Sequence, residues 1–191
     1  MVPPRSQAKS TRKPVLKSNM LAVDLNPAPP QYYAQVPVAK LDQSEPTMCW
    51  VDASSSRIAI LIGQDYRTFS LKKGWQTKKR DINWAETIAF ELLAQVLVSR
   101  GHIGVVKVSS DSHTALRALA GSKVRVREII ESTRRLNTLI GSSDFELKGV
   151  KVPTKGNLAD PFTRGKKVGG YQRMTDEIVL PEALAQFVVV E

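Results

Sequence analysis

The stretch MCWVDASSSRIAILIGQDYRTFSL (residues 48–71) holds three short apolar or alternating runs, at 48–51, 58–62 and 66–71, separated by Ala-Ser-Ser-Ser and Gly-Gln-Asp. Runs of this length bounded by turn formers read as strands, and three of them in succession make an antiparallel meander. After the polar, basic stretch LKKGWQTKKRD comes NWAETIAFELLAQVLVSRG (83–101), whose length, helix formers and closing glycine predict a helix ending near Arg100. A Val-rich run at 103–109 reads as a buried strand. DSHTALRALAG (111–121) reads as a short helix capped by Asp111 or Ser112, and VRVREIIESTRRLNTLIG (124–141) as a longer one closed by Gly141. A last strand at 145–152 precedes the loop PTKGN and a helix opening at LADPFTRG (158–165). A meander followed by alternating helices and strands is an α/β layered domain: a mixed sheet with helices packed on it.

The flanks differ from this core. Eight of the 11 prolines fall in residues 1–46, among scattered Lys and Arg, which marks an extended basic linker or tail. The ordered domain is expected over 47–165. Residues 166–191 read as a linker, KKVGG, followed by an apolar tail, DEIVLPEALAQFVVV. The chain of 191 residues carries 28 Lys and Arg against 18 Asp and Glu, a formal charge of +10, which favours a polyanionic partner and nucleic acid first. One cysteine, Cys49, builds no disulfide framework, and with two histidines it supplies no structural zinc site. The apolar stretches are too short for a membrane span, and the first residues lack the apolar region of a secretory signal, so an intracellular protein, cytoplasmic or nuclear, with no membrane partner is expected.

The acids that stand out are those where a core element ends. Asp52 follows the first strand, Asp111 the fourth, and Asp160 sits at the opening of the last helix. If the first and fourth strands are neighbours, Asp52 and Asp111 emerge side by side, and carboxylates forced together point to a divalent cation. On the helical wheel Glu86 lies in line with Phe90, Leu93 and Leu97, beside the face of Ala89, Leu92 and Val96, whereas Glu91 falls opposite with Thr87, Gln95 and Val98. Glu86 is therefore the expected fourth acid, and Glu91 is expected to face solvent.

These segments together resemble a ribonuclease H domain of the kind attached to retroelement reverse transcriptases. WVDAS is similar to the first-strand aspartate motif, INWAETIAF to the Asn-x-x-Glu-x-x-Ala helix start, and VSSDSHTALRAL to the second aspartate with its helix. VPTKGNLADPFTRG resembles the closing Asn-x-x-Asp with the Pro-x-Ser/Thr-Arg-Gly tail of gypsy-like and especially DIRS-like elements. The resemblance implies a ribonuclease H-like mixed five-stranded sheet, a three-stranded antiparallel meander plus parallel strands. It also implies a catalytic, metal-binding set Asp52, Glu86, Asp111 and Asp160, with Asn157 helping to set the final helix. The implied activity is metal-dependent cleavage of the RNA strand of an RNA–DNA hybrid, with a reverse transcriptase domain in the same polyprotein as a possible partner. The histidine that cellular ribonucleases H often carry before the last aspartate has no counterpart in Pro153-Thr154-Lys155-Gly156; His102 and His113 read as surface residues.

Four carboxylates suit two Mg²⁺ ions, for which Mn²⁺ can substitute, that activate a water and stabilise the leaving oxygen. For the nucleic acid, the expected contacts are Lys72, Lys73, Lys78, Lys79 and Arg80 around Trp75, and Arg125 and Arg127 on the later helix, tracking the backbone while Trp75 packs on sugar or base. Ser54 and Ser55 are candidates for contacts to 2′-hydroxyls, and Asn157 lies close to the substrate. Two alternatives remain: an integrase-class polynucleotidyl transferase, against which Asp160-Pro161 argues where that class carries Glu, and a catalytically inactive nucleic-acid-binding or tethering module.

Overall fold

A computed structural model describes residues 45–191. The Pro-rich arm assigned to 1–46 therefore lies outside the described residues except for its last two. The meander forms from β1 (Thr47–Ala53), β2 (Arg57–Ile62) and β3 (Asp65–Leu71), each antiparallel to the next, with Val51 opposite Ile60 and Ile60 opposite Arg67. The β2–β3 turn needs Gly63, whose φ of +58° is a conformation most side chains avoid. In the β1–β2 turn the Ser54 hydroxyl accepts the Arg57 amide at 3.1 Å, so a polar side chain closes the bend.

Helix α1 (Ile82–Ser99) follows, its start capped by the Asp81 carboxylate, which accepts the Trp84 amide at 3.2 Å. Then come β4 (Gly104–Ser110), α2 (His113–Leu119), α3 (Arg127–Gly141) and β5 (Phe145–Lys151). β4 pairs parallel to β1, and β5 parallel to β4, so the fourth strand does lie beside the first. A 3₁₀ turn at Thr154–Gly156 leads into the short helix α4 (Asp160–Thr163). The mixed α/β architecture expected from the sequence is the one observed.

Two features differ from expectation. Among the described residues the sheet has seven strands rather than five, because β6 (Gln172–Arg173) pairs parallel to β3 and β7 (Val188–Val190) pairs antiparallel to it. The segment read as a linker and apolar tail is thus part of the domain: Met174, Leu184 (in α5, Glu182–Ala185) and Val188 are buried in the same core as Phe69 and Trp84. Secondly, α1 is buried on almost every side, because α3 packs across the flank that the wheel assigns to solvent. Thr87 and Glu91 are covered along with Leu92 and Leu93.

Strand periodicity sorts side chains onto two faces. Cys49, Val51, Ile58, Ile60 and Phe69 join the core with α1, while Ala59 and Leu61 pack with Phe162 of α4 on the other face. Asp52 alternates with Val51 and so faces α4, at the end of the sheet's central strand. No helix among the described residues is long and apolar enough to cross a membrane.

Candidate active site

Asp52 lies inside β1 rather than after it, and only 8% of it is exposed. Its partners come from the segment that closes the fold. The Asn157 carboxamide Nδ2 donates to the Val51 carbonyl at 3.0 Å, to Asp111 Oδ1 at 3.1 Å and to Asp52 Oδ1 at 3.3 Å. Its Oδ1 accepts the Ala159 amide, which fixes the entry to α4. One turn on, the Thr163 hydroxyl sits 2.8 Å from Asp52 Oδ2 and 2.9 Å from the Asp160 carbonyl oxygen. Asn157 and Thr163 are both buried, so their side-chain polar atoms depend on protein partners.

Asp111 directly follows β4. The parallel pairing of β1 and β4 brings it beside Asp52, and Asn157 bridges the two carboxylates. Lys151, at the end of β5, donates to the Asp111 backbone carbonyl. Glu86 stands in the second turn of α1, half-buried, near Asp111 and Ser112. Asp160 opens α4, where Arg164 Nε lies 2.9 Å from Oδ2 and Nη2 lies 2.7 Å from Oδ1. The four acids named from the sequence thus belong to one edge of the sheet.

Their electrostatics follow from that crowding. Burial first, then repulsion from Asp111, Asp160 and Glu86, push the Asp52 carboxyl up to about 7, against the pull of the Thr163 hydroxyl. Burial also raises Glu86; the Ser112 hydrogen bond opposes the rise and Asp111 adds to it. Burial pushes Asp111 up as well, but hydrogen bonds from Thr154, Asn157 and its own backbone, with Lys151 nearby, outweigh it and leave the group below the usual carboxylate value.

Four carboxylates form an all-oxygen donor set that suits a hard divalent cation, and a buried carboxylate raised by its like-charged neighbours is relieved by one. As arranged here the edge does not enclose an ion: among the described residues no three ligating groups are grouped to hold a metal. Two positive or donating groups stand in instead, the Asn157 amide between Asp52 and Asp111 and the Arg164 guanidinium on Asp160. The donor chemistry fits a hard divalent cation.

The expected nucleic-acid contacts divide. Ser54 adjoins the site, its hydroxyl 3.3 Å from the Thr163 carbonyl oxygen. Ser55 is exposed, and its carbonyl accepts from Trp75 Nε1 at 2.8 Å. Trp75 is a correction: it is 4% exposed and stacks on Trp84 at a centroid distance of 5.6 Å, so it is core and presents no face to a sugar or base. Arg80 is half-buried; its guanidinium lies over Phe187 at 4.1 Å and donates to the Trp75 carbonyl, holding the loop to the C-terminal segment. Lys72 donates to the Ala185 carbonyl at 2.6 Å, a cap on α5. Lys73, Lys78 and Lys79 are exposed. Arg127, paired with Glu131 at 2.7 Å, shares with Lys79 a cleft of about 260 Å³, so those two basic groups meet; Arg125 is exposed and does not line it.

Glu91 is a further correction. It is fully buried and holds Arg135 and Ser132 across the α1–α3 contact. Thr163, Arg164 and Ser112 are site residues that sequence reasoning missed. Thr163 and Arg164 lie within the quoted Pro-x-Thr-Arg-Gly stretch, but only the fold shows which acids they touch.

No family model and no curated protein sequence matches the chain. Among solved structures, the chain is similar to ribonuclease H1 from the halophilic archaeon Halobacterium salinarum, at 14% identity and a TM-score of 0.50 over 60% of this chain and 91% of that one. It is also similar to the N-terminal RNase H domain of a Mycobacterium tuberculosis protein, solved as a fusion with maltose-binding protein, at 15% identity and a TM-score of 0.43 over 62% and 98%. The domain has a ribonuclease H-like fold.

Proposed function

We propose that this domain is a metal-dependent endonuclease that cleaves the RNA strand of RNA–DNA hybrids, and that it serves retroelement reverse transcription beside a polymerase domain of the same polyprotein. The observation that carries the nuclease reading is the single hydrogen-bond network in which Asn157 joins Asp52 to Asp111 and Thr163 joins Asp52 to the Asp160 backbone. Glu86 lies near Asp111 at the same edge. The retroelement setting rests on the likeness of VPTKGNLADPFTRG to the closing motif of such elements. A transcript or precursor that encodes a polymerase domain in frame supports that setting; a precursor without one removes it.

In this reading Asp52, Glu86, Asp111 and Asp160 hold two Mg²⁺ ions. Bound Mg²⁺ would lower the pKa of water and stabilise charge on the phosphate and on the leaving 3′ oxygen. The residues of the chain do the rest. Thr163 and Asn157 fix the Asp52 carboxylate, and the Asn157 carboxamide spaces it from Asp111. Lys151 anchors the Asp111 backbone, so the acid at the tip of β4 is held in position. Exposed Lys73, Lys78 and Lys79, in the loop before the helix that carries Glu86, supply attraction for the phosphate backbone.

A second reading has its own support. Arg164 offsets the Asp160 charge and the Asn157 amide bridges Asp52 and Asp111 by hydrogen bonds, so part of the crowding is relieved without a metal, as a binding or tethering module would need. An end-labelled RNA–DNA hybrid incubated with the protein in Mg²⁺ or Mn²⁺ separates the two. RNA-strand cleavage that is lost in Asp52→Asn supports the nuclease; binding of the hybrid by folded protein with no cleavage supports the module. A strand-transfer assay on duplex DNA tests the integrase-class alternative.

A further inference from the structure

Beyond α4 the chain turns back along the face of the sheet opposite α1 and encloses a cleft of about 410 Å³, a volume within the range of small-ligand pockets. Tyr66 of β3 and Tyr171 line it, and the Phe162 ring lies between them, 4.6 Å from the first and 5.2 Å from the second, centroid to centroid. Both tyrosines are half-buried, so each ring is held by packing yet borders the cleft.

Four cations also line it, Lys166, Lys167, Arg173 and Arg57, beside Thr68, Val168 and one carboxylate. The lining carboxylate, Glu191, is matched by Arg57 at 3.1 Å and accepts from Ser70. Lys166, Lys167 and Arg173 form no ion pair among the described residues. Gly165, at φ +70°, makes the turn into the cleft, a conformation that side-chain-bearing residues rarely adopt. Three unmatched cations and two tyrosines are what a chain of phosphates with unstacked bases requires. A duplex offers its bases only edge-on and gives the rings no face to stack on, whereas a single strand does.

The cleft is one residue from the carboxylate edge. Phe162 forms its wall, and its neighbour Thr163 bonds Asp52. We propose that this cleft binds a single-stranded nucleic-acid segment, with phosphates on Lys166, Lys167 and Arg173 and a base against Tyr66 or Tyr171. That the strand continues into the carboxylate edge rests on the nuclease reading; the binding itself does not.

Fluorescence anisotropy of a labelled oligothymidylate with the full chain, in chelator, reads binding without cleavage. The double variant Lys166→Glu, Lys167→Glu should weaken binding at least about tenfold and flatten the log–log salt slope by about 1.4, the effect of two lost single-strand phosphate contacts. Tyr171→Ala should weaken it about tenfold, the scale of one lost base stack. Because Lys166 and Lys167 are exposed, their reversal tests the proposal even if Tyr171→Ala unfolds. Equal affinity of the lysine variant and the unmodified chain would overturn the proposal, as would equally tight binding of polyglutamate of the same charge. Failure of the chain to cut a hybrid would sink the nuclease reading and leave this result standing.

Discussion

Two buried carboxylates in this molecule have opposite surroundings. Glu91, fully buried between α1 and α3, accepts from Arg135 Nε at 2.6 Å and Nη2 at 2.9 Å and from Ser132 at 2.7 Å. Asp52, nearly as buried, receives Thr163 and Asn157 but has Asp111, Asp160 and Glu86 as its charged neighbours. In the first place the chain supplies the countercharge; in the second it repeats the charge. Burial is common to both, so burial does not mark a working site. The company does, because Asp111, Asp160 and Glu86 crowd Asp52 with like charge where Arg135 meets Glu91 with opposite charge.

The comparison breaks if the two acids respond alike. The largest difference expected is in catalysis: Asp52→Asn should lower hybrid cleavage by at least about 10³-fold, the scale seen when a group that stabilises transition-state charge is removed. Glu91→Gln should leave the rate per folded molecule within a few-fold of the unmodified chain, with circular dichroism giving the folded fraction.

Next in size is pH dependence. The Asp52 pKa rises from 3.8 to about 7 on folding, so between those values the folded chain keeps a proton that the unfolded chain has lost. The Asp52 contribution is therefore neutral to stability below about pH 4 and becomes destabilising as pH rises to about 7, by at most about 4 kcal/mol. Urea denaturation across that range should show the decline, and Asp52→Asn should flatten it. Added Mg²⁺ should raise the melting temperature at neutral pH in the unmodified chain and not in Asp52→Asn.

The order reverses for stability at fixed pH. Glu91→Ala leaves Arg135 partly solvated, its side chain 31% exposed, so a loss of about 3 kcal/mol is expected, the low end of the range for a broken buried pair. A denaturation midpoint unchanged by Glu91→Ala would remove the structural role assigned to that pair. The smallest effect belongs to Arg164→Ala. Freed of its guanidinium, Asp160 should bind Mn²⁺ a few-fold more tightly in a titration followed by electron paramagnetic resonance, and weaker binding would show that Arg164 organises the edge instead of masking it.

Why some of this was legible in the sequence and some was not has physical reasons. Asp52, Asp111 and Asp160 each sit at or near the end or start of an element, but the β1–β4 pairing that joins the first two was only a condition of the sequence reading, and the fold supplies it. Glu91 was misread because a wheel assumes one buried flank, and α3 covers the second. Trp75 sits among lysines, so its surroundings in sequence are polar while its partner in space, Trp84, is not. β6 has two residues and β7 three, too few for an alternating pattern, and nothing local tells Val188–Val190 that its partner is β3. Thr163 and Arg164 were visible as letters of a motif, but their roles depend on which side of the sheet α4 packs.

The late strand also sets a schedule for synthesis. Phe69, Ser70 and Leu71 pair with Val190, Val189 and Val188, so the outer edge of β3 waits for more than a hundred further residues before its partner exists. At a ribosome adding about 5–20 residues per second, that edge stays open for seconds after the meander has emerged. Unpaired strand edges are templates for other chains, so a nascent chain stalled before Val188 would expose one, and a chaperone that shields strands would be most useful in that interval.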